Sequence, residues 1–449
     1  MGVEVRQRGT TGWISHNGAL THSTARDQQS RRRGVCYSGA VGTPCSPGTE
    51  ISPNAVNVVN IVQINYAFDA SLDDPGALLA RYSTLTGWSE ALAAAGAGRV
   101  TVVQRFHRNA RVSQNGIEYT FFGDGAKGRA RPWRCPSGLR RALLDASADI
   151  VHVNGLNFPV QTWRLRRMLP PSTAIVLQDH GGIRFRDGRW PHRFTLPKLV
   201  RRRAMKAADG FLFVAPEHAD PWQRIRCIVS SQKVYQVLEA STTMKPMPRD
   251  AARQISGMWG KPAVLWVGRL DANKDPLTVL DGFEQSLAHL PEASLTMIYG
   301  TDELLSAVRE RVGASPTLRE RVRLVGSVPH DSIAAFQSGA DVFVLGSHFE
   351  AGGYALIEAS ACSTPAVVTN IPTFRIVTAE GSLGALWNPG DAAGCARALI
   401  DVSRQDATTL RARIGEHFDR ALSWPAVGRR AMAIYQEVVA HRRCVAAVA

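Results

Sequence analysis

The stretch Val342-Phe343-Val344-Leu345-Gly346-Ser347-His348-Phe349-Glu350-Ala351-Gly352-Gly353-Tyr354-Ala355-Leu356-Ile357-Glu358-Ala359 decides the fold. Four apolar residues predict a buried strand, the glycine-containing segment a loop, and the Ala/Leu/Ile-rich segment a helix. Strand, glycine loop and helix start is the geometry that presents unpaired backbone N–H groups to an anion. Gly352 and Gly353 let a ligand come close to the backbone. Glu350 falls just before the helix and Glu358 within it. The helix between them rises roughly 7–8 Å, so the two carboxylates do not share one proton. They are expected to hold different parts of an extended ligand, unlike the paired carboxylates of a glycoside hydrolase, which flank a single bond. Taken alone, a helix-start Glu and a solvent-facing Glu would explain the pattern equally well.

A second segment of the same kind lies upstream: Ala263-Val264-Leu265-Trp266-Val267, then Gly268-Arg269-Leu270-Asp271-Ala272-Asn273-Lys274-Asp275-Pro276. Pro276 marks a helix start. Arg269 and Lys274 are expected at the carboxyl end of a central strand, where a guanidinium and an ammonium suit a diphosphate. The plainer alternative is an Arg–Asp pair that closes the loop.

Short apolar runs recur along the rest of the chain, near 58–65, 99–103, 150–153, 174–177, 210–214 and 233–238, then 294–298, 322–325 and 366–368. Helical patterns lie between them, among them Leu78 to Ala94 and Trp163 to Met168. The alternation predicts an α/β protein with two parallel, doubly wound sheets, helices on both faces of each, and a cleft between the carboxyl ends of their strands. The Pro-rich stretch Thr242 to Arg253 separates the halves. Residues 1–56 are expected to be a disordered extension, 57–245 a first Rossmann-like domain that takes the acceptor and 246–425 a second that takes the donor. Residues 426–449 read as a terminal amphipathic helix.

With 449 residues, 45% of them hydrophobic, the chain can bury two ordinary cores. No apolar run approaches the roughly 20 residues of a membrane span, and the basic N-terminus is not followed by an apolar signal core. Seven cysteines, odd in number and without a C-x-x-C pair, predict reduced thiols and a cytoplasmic protein. The net charge of +15 is concentrated: residues 105–206 hold 21 Lys and Arg against 6 Asp and Glu. Arg164, Arg166, Arg167, Arg184, Arg186, Arg189, Arg193, Lys198, Arg201, Arg202, Arg203 and Lys206 all fall there. Such a field attracts polyanions, phosphorylated substrates or an anionic membrane face. Aromatic residues for stacking bases are sparse, which argues against nucleic acid.

Taken in order, Gly268-Arg269-Leu270 with Lys274-Asp275-Pro276, Val325-Gly326-Ser327-Val328, the two glutamates eight apart, and Ala359-Ser360-Ala361 before Pro365-Ala366-Val367-Val368 resemble the retaining glycosyltransferases of family four. That resemblance covers about 262–400 and implies the two-Rossmann GT-B architecture with a nucleotide-diphosphate sugar as co-substrate. It implies that Glu350 bonds hydroxyls of the donor sugar beside the N–H groups of Gly352, Gly353 and Tyr354, and that Glu358 grips the ribose. Arg269 and Lys274, next to Gly268, would neutralise the diphosphate, and the loop at Gly326-Ser327-Val328 would contact the base. In the first half, Asp179-His180-Gly181-Gly182 resembles the place where the family sets a histidine against the donor sugar. Glu350 and His180 are thus the candidate catalytic residues. No two aspartates stand two apart, so no D-x-D metal site is expected, no metal or other cofactor is called for, and cationic side chains with a helix N-terminus carry the leaving phosphate.

The chain departs from the pattern at Asn65-Tyr66-Ala67-Phe68-Asp69, which lacks paired glycines. Asn154 stands where a histidine is common, and Ile371-Pro372-Thr373-Phe374-Arg375 replaces a G-G-x-x-E run. The acceptor expected from the charge is a sugar, lipid-linked or anionic glycan, at the inner membrane face. A sugar-nucleotide epimerase or phosphorylase on the same architecture, and a basic nucleic-acid-binding protein, are the competing readings.

Overall fold

The computed structural model describes residues 58–125, 137–181 and 198–448; the expected extension 1–56, Gly182, and Arg184 through Arg193 lie outside them. The first sheet holds β1 (Ile61–Asn65), β2 (Val100–Phe106), β3 (Ala110–Gln114), β4 (Ile117–Gly123), β5 (Ile150–Asn154), β6 (Ala174–Gln178), β7 (Gly210–Phe213) and β8 (Lys233–Gln236), in the order β3-β4-β2-β1-β5-β6-β7-β8. The second holds β9 (Ala263–Gly268), β10 (Ser294–Tyr299), β11 (Val322–Gly326), β12 (Val342–Leu345), β13 (Ala366–Thr369) and β14 (Gly384–Trp387), in the order β11-β10-β9-β12-β13-β14. Every residue of β1, β2, β5 and β6 is buried. That is why these strands read as continuous apolar runs: with helices on both faces, neither side chain row meets water. In both sheets the strand order reverses beside the first strand, between β1 and β5 and between β9 and β12. Loops leaving the two strands at such a reversal diverge and open a crevice at their carboxyl ends.

Parallel strands alone were expected; one pair differs in direction, and one parallel strand, β14, was not anticipated. The N-terminal sheet ends in an antiparallel hairpin, β3 against β4, turned by Asn115 and Gly116 at φ 52° and 76°. Two consecutive positive φ values match the right-handed twist of the flanking strands, and Asn-Gly is the pair that adopts them most readily. In the other half, β14 pairs in parallel with β13 through the short Gly384-Ala385-Leu386-Trp387.

The chain crosses between the halves twice, once through 237–248 and again into the helix Trp424–Val448. This last helix starts two residues before the expected 426 and packs along the helix Ser83–Ala94 of the first half. Any side chain at Gly428 would collide with the Ala91 carbonyl, so the two helices touch backbone to backbone there, and a Cβ at Gly87 would enter the Trp424 ring, which lies on the helix at that point. Farther along, the Tyr435 hydroxyl lies 2.7 Å from Nδ1 of His152. His152 is fully buried in β5, and burial, with a smaller contribution from His180, pushes its pKa down to about 3. It therefore stays neutral and accepts a hydrogen bond from the Tyr435 hydroxyl at Nδ1. Burying Ile434, Val438 and Val439 on the same face contributes about 1.5–3 kcal/mol each at most.

The basic stretch is less of a surface field than its composition suggests. Arg105 is buried and paired with Asp124 at 2.8 Å. Arg166 donates to the Thr173 carbonyl at 2.5 Å and faces Asp209, the buried Arg201 reaches the Leu156 carbonyl at 3.4 Å, and Arg202 donates to the Ile225 carbonyl at 2.6 Å. These guanidiniums satisfy carbonyls and carboxylates inside the domain. Arg167, Arg203 and Lys206 remain exposed, on or beside the paired helices Pro159–Met168 and Lys198–Met205.

Candidate active site

The loops after β9 and β12 leave adjacent strands at the reversal of the second sheet and zip together. The His348 N–H donates to the Asn273 carbonyl at 2.8 Å, and Asn273 Nδ2 donates to the Phe349 carbonyl at 3.0 Å. Asp275 takes the left-handed conformation at φ 43°, caps the helix Pro276–Ser286 through the Thr278 N–H, and holds His348 Nε2 at 3.1 Å. Lys274, one residue earlier, is thereby aimed across the crevice.

Lys274 Nζ bonds Oε1 of Glu350, and the Ser347 hydroxyl donates to the same oxygen at 2.6 Å. Both charged side chains are largely enclosed, at 14% and 12% exposure. The Glu350 carbonyl accepts from the Thr373 hydroxyl at 2.6 Å, fixing the backbone from behind. Gly353 then opens the helix Tyr354–Ala361 as its N-cap at φ 67°, a conformation that costs glycine little and other residues more. Lacking a side-chain cap, the helix start keeps N–H groups free for a ligand.

Arg269 stands at the mouth, half exposed, with a guanidinium nitrogen 3.0 Å from Asp271. In the free protein it thus forms the loop-closing Arg–Asp pair weighed above as the alternative. On the far side of the helix start, Glu358 is held at 2.7 Å by His330 Nε2. Val328 lies two residues before this histidine, partly buried against the core. Glu358 and the 326–330 loop therefore meet, away from Lys274 and Glu350. The pairing with Glu358 is also the main reason the His330 pKa is raised.

From the first half, His180 follows β6. A Cβ on Gly181, whose φ is 64°, would sit 2.6 Å from the Ala351 side chain, so this loop abuts the Glu350 loop. His180 Nε2 lies 3.4 Å from Oδ1 of Asn154, at the end of β5, and Nδ1 lies 2.8 Å from Oε2 of Glu239. Burial opposes a charge on the ring, but Glu239, aided by Asp179, outweighs it and raises the His180 pKa. Asp179 itself is pushed up to about 7, by burial first and then by Glu239. The His218 ring stacks at 5.3 Å on Phe349, and Arg375 pairs with Glu217 at 2.9 Å, tying the halves on this side.

Gly268, Arg269, Lys274, Glu350, Gly352, Gly353 and Tyr354 thus gather around one crevice, with His180 facing them and Glu358 and Val328 at the far end of the helix start. Sequence reasoning missed Glu239, His330 and Ser347. Ser347 was quoted but given no part, and nothing about a lone Glu in an interdomain segment marks Glu239. The arrangement offers a carboxylate for hydroxyls, two cations and free N–H groups for an anion, and a second carboxylate for a diol.

Residues 249–418 match the sequence profile of the family Glycosyl transferases group 1. The chain is 27% identical over 318 residues to a phosphatidyl-myo-inositol mannosyltransferase of Mycobacterium leprae, covering 67% of this chain and 77% of that one. It is 30% identical to a mannosylfructose-phosphate synthase of Agrobacterium fabrum over 42% of this chain and only 43% of that protein. Among solved structures, the sucrose-phosphate synthase of Thermosynechococcus elongatus superposes with a TM-score of 0.61 at 18% identity, over 85% of this chain and all of that one. The α,α-trehalose 6-phosphate synthase of Burkholderia multivorans gives 0.56 at 14% identity, over 86% and 98%.

Proposed function

For a chain that belongs with the group 1 glycosyl transferases, a GT4-like glycosyltransferase of the GT-B fold, we propose a retaining, metal-independent transfer from a nucleoside diphosphate sugar to an acceptor hydroxyl. The observation that carries this reading is the Lys274–Glu350 pair beside an uncapped helix start, with His180 facing it from the other half.

The donor diphosphate lies between Arg269 and Lys274. Lys274 has three donor hydrogens and can keep Glu350 while taking a phosphate oxygen. Arg269 has only to leave Asp271, an exposed pair contributing at most about 1 kcal/mol. Glu350 accepts hydrogen bonds from hydroxyls of the sugar, next to the N–H groups of Gly352, Gly353 and Tyr354, and Glu358 does so for the ribose. In the reaction the bond between the anomeric carbon and the phosphate oxygen breaks as the acceptor oxygen bonds to the same face. The acceptor proton passes to the departing phosphate oxygen. Positive charge building on the sugar falls near the Glu350 carboxylate, and negative charge on the phosphate falls on the two cations and the helix N-terminus. None of these steps calls on a metal ion.

For the acceptor we infer a hydroxyl compound that carries phosphate, lipid-linked or free. Supporting this are relatives named as a phosphatidyl-myo-inositol mannosyltransferase, a mannosylfructose-phosphate synthase and a D-inositol 3-phosphate glycosyltransferase. The exposed surface of the helices Pro159–Met168 and Lys198–Met205 supports a lipid-linked form at an acidic membrane face inside the cell: Trp163, Leu199 and Val200 are exposed there. Arg167, lying 4.9 Å over the Trp163 ring, Arg203 and Lys206 supply cations beside them. Among the described residues no helix is long and apolar enough to cross a membrane.

Thermal melting of the full chain with UDP, GDP, ADP and their glucose or mannose derivatives identifies the donor, since a ligand bound only by the folded state raises the melting temperature. NMR of the product's anomeric proton then decides retention, and turnover in EDTA decides the metal. Inversion, or loss of activity in EDTA, would refute the corresponding clause. Equal sedimentation with neutral and anionic liposomes at low salt would remove the membrane.

A further inference from the structure

We propose that Glu239 is a positioning residue of the site: its carboxylate clamps His180 by Nδ1, so that Nε2 faces the donor sugar, and joins this ring to the helix start that holds the donor. The inference rests on the reading of His180 as a donor-side residue.

Glu239 lies in the segment that crosses between the halves and is 4% exposed. Its surroundings come from both halves. Oε2 is 2.8 Å from His180 Nδ1. Its carboxylate also lies near Tyr354, whose pKa is driven well up by burial first and then by Glu239, although the residue as a whole is 41% exposed. Oε1 occupies the space beside Gly352 that a Cβ would need. A carboxylate this enclosed is costly without a positive or donating partner, and the partners it has are the two residues that frame the donor.

The other groups facing this cluster do not replace Glu239. Asp179, on the ring's own strand end, bonds the Gly181 N–H at 3.3 Å rather than the imidazole. His152, from β5, is held neutral by burial and cannot pair. His218, across from Glu239, is likewise held down by burial, and Glu350 is engaged by Lys274 and Ser347. With Nδ1 set 2.8 Å from the Glu239 carboxylate, Nε2 is the atom presented, beside Asn154. A protonated His180 makes Nε2–H a donor toward a sugar hydroxyl. Because Glu239 balances its charge, the pair does not oppose the positive charge that builds on the sugar during transfer.

The test uses the full chain labelled with 13C at the histidine ring, each ring followed by NMR against pH and His180 assigned by the signal lost in His180→Gln. In the wild-type protein the His180 signal is expected to titrate above the ordinary histidine value of about 6.5. Glu239→Gln keeps the shape and removes the charge, and should shift that midpoint downward; Tyr354→Phe should leave it in place. A wild-type midpoint at or below the ordinary value, or a midpoint unmoved by Glu239→Gln, overturns the clamp. The wild-type titration decides even if Glu239→Gln fails to fold, and Glu239→Asp, which retains the charge, should preserve the raised midpoint. The kinetic arm uses UDP-glucose, GDP-mannose and ADP-glucose as donors. The limb of the pH–rate profile abolished by His180→Gln should move to lower pH in Glu239→Gln, with kcat falling more than KM rises. A limb that stays in place while the rate falls assigns Glu239 to the framework and refutes the proposal. If none of these donors is turned over, the functional reading fails with them while the titration still decides the clamp.

Discussion

Arg269→Ala separates a residue held for a ligand from one held for the fold. In the free protein the Arg269 guanidinium stands 3.0 Å from Asp271, with side-chain exposures of 49% and 14%. A pair so open to water contributes about 0–1 kcal/mol, so the substitution should barely change the unfolding free energy. A charged hydrogen bond to a diphosphate is worth about 1.5–3 kcal/mol. Release from Asp271 takes back at most about 1 kcal/mol of that, leaving a net loss of about 0.5–3 kcal/mol, from a little over twofold to about 150-fold in affinity. Asp271→Asn is the counterpart. It keeps an acceptor for the Lys274 N–H, which Oδ1 of Asp271 now binds at 3.0 Å, but frees the guanidinium, and should tighten binding by up to about fivefold. Titration calorimetry with UDP and GDP at one fixed salt concentration, alongside urea unfolding, reads both quantities. Arg269→Ala binding within twofold of wild type, or a loss of folding stability exceeding the loss of binding energy, would show that the guanidinium serves the loop and not the ligand.

Glu350→Gln should spare nucleotide binding and abolish transfer, because the amide keeps the contact and loses the charge; retained turnover in a transfer assay removes the residue from the chemistry. Gly428→Val should destabilise the fold by about 1–3 kcal/mol through overpacking against Ala91, read as a lower urea midpoint; an unchanged midpoint means the two helices separate freely. His152 bears on acid stability. Its pKa falls from 6.5 to about 3 on folding, so below pH 6.5 the unfolded chain binds the extra proton and stability drops with pH. Between pH 6.5 and pH 5 the loss is on the order of 2 kcal/mol, and His152→Gln should flatten that part of the urea-unfolding profile; the same slope in the variant would point to other groups.

What the sequence shows of this fold follows from how each element is buried. β5 and β6 announce themselves because both faces are covered, leaving runs such as Ile150-Val151-His152-Val153 with few polar interruptions. The β3–β4 hairpin does not, because β3 is an edge strand with exposed Arg111, Ser113 and Gln114; its one strong signal was Asn115-Gly116 flanked by alternation in Ile117, Tyr119 and Phe121. β14 is too short and too glycine- and alanine-rich to stand out. The basic stretch misled in the other direction: composition counts a guanidinium the same whether it faces water or, like Arg201, a carbonyl inside the domain.

The site divides along the same line. Glu350, Glu358, Arg269 and Lys274 are legible because each belongs to a strand–loop–helix unit, where local spacing fixes which end of the strand a residue occupies. Glu239 and His330 have no such unit. Glu239 acquires its place only when the segment between the sheets is laid against both of them, so its partners, His180 and Tyr354, lie in different halves of the chain. The same reason makes it a stringent residue. A contact made within one loop survives any motion of the halves, whereas a carboxylate set against His180 on one side and Tyr354 on the other keeps both neighbours only when the two halves are together. Opening the crevice would strand either the ring or the hydroxyl. The pairing of donor loop and facing histidine is therefore tied to closure, and transfer should depend on it more steeply than nucleotide binding, which on the proposed reading falls to Arg269, Lys274 and Glu358 of the second half alone.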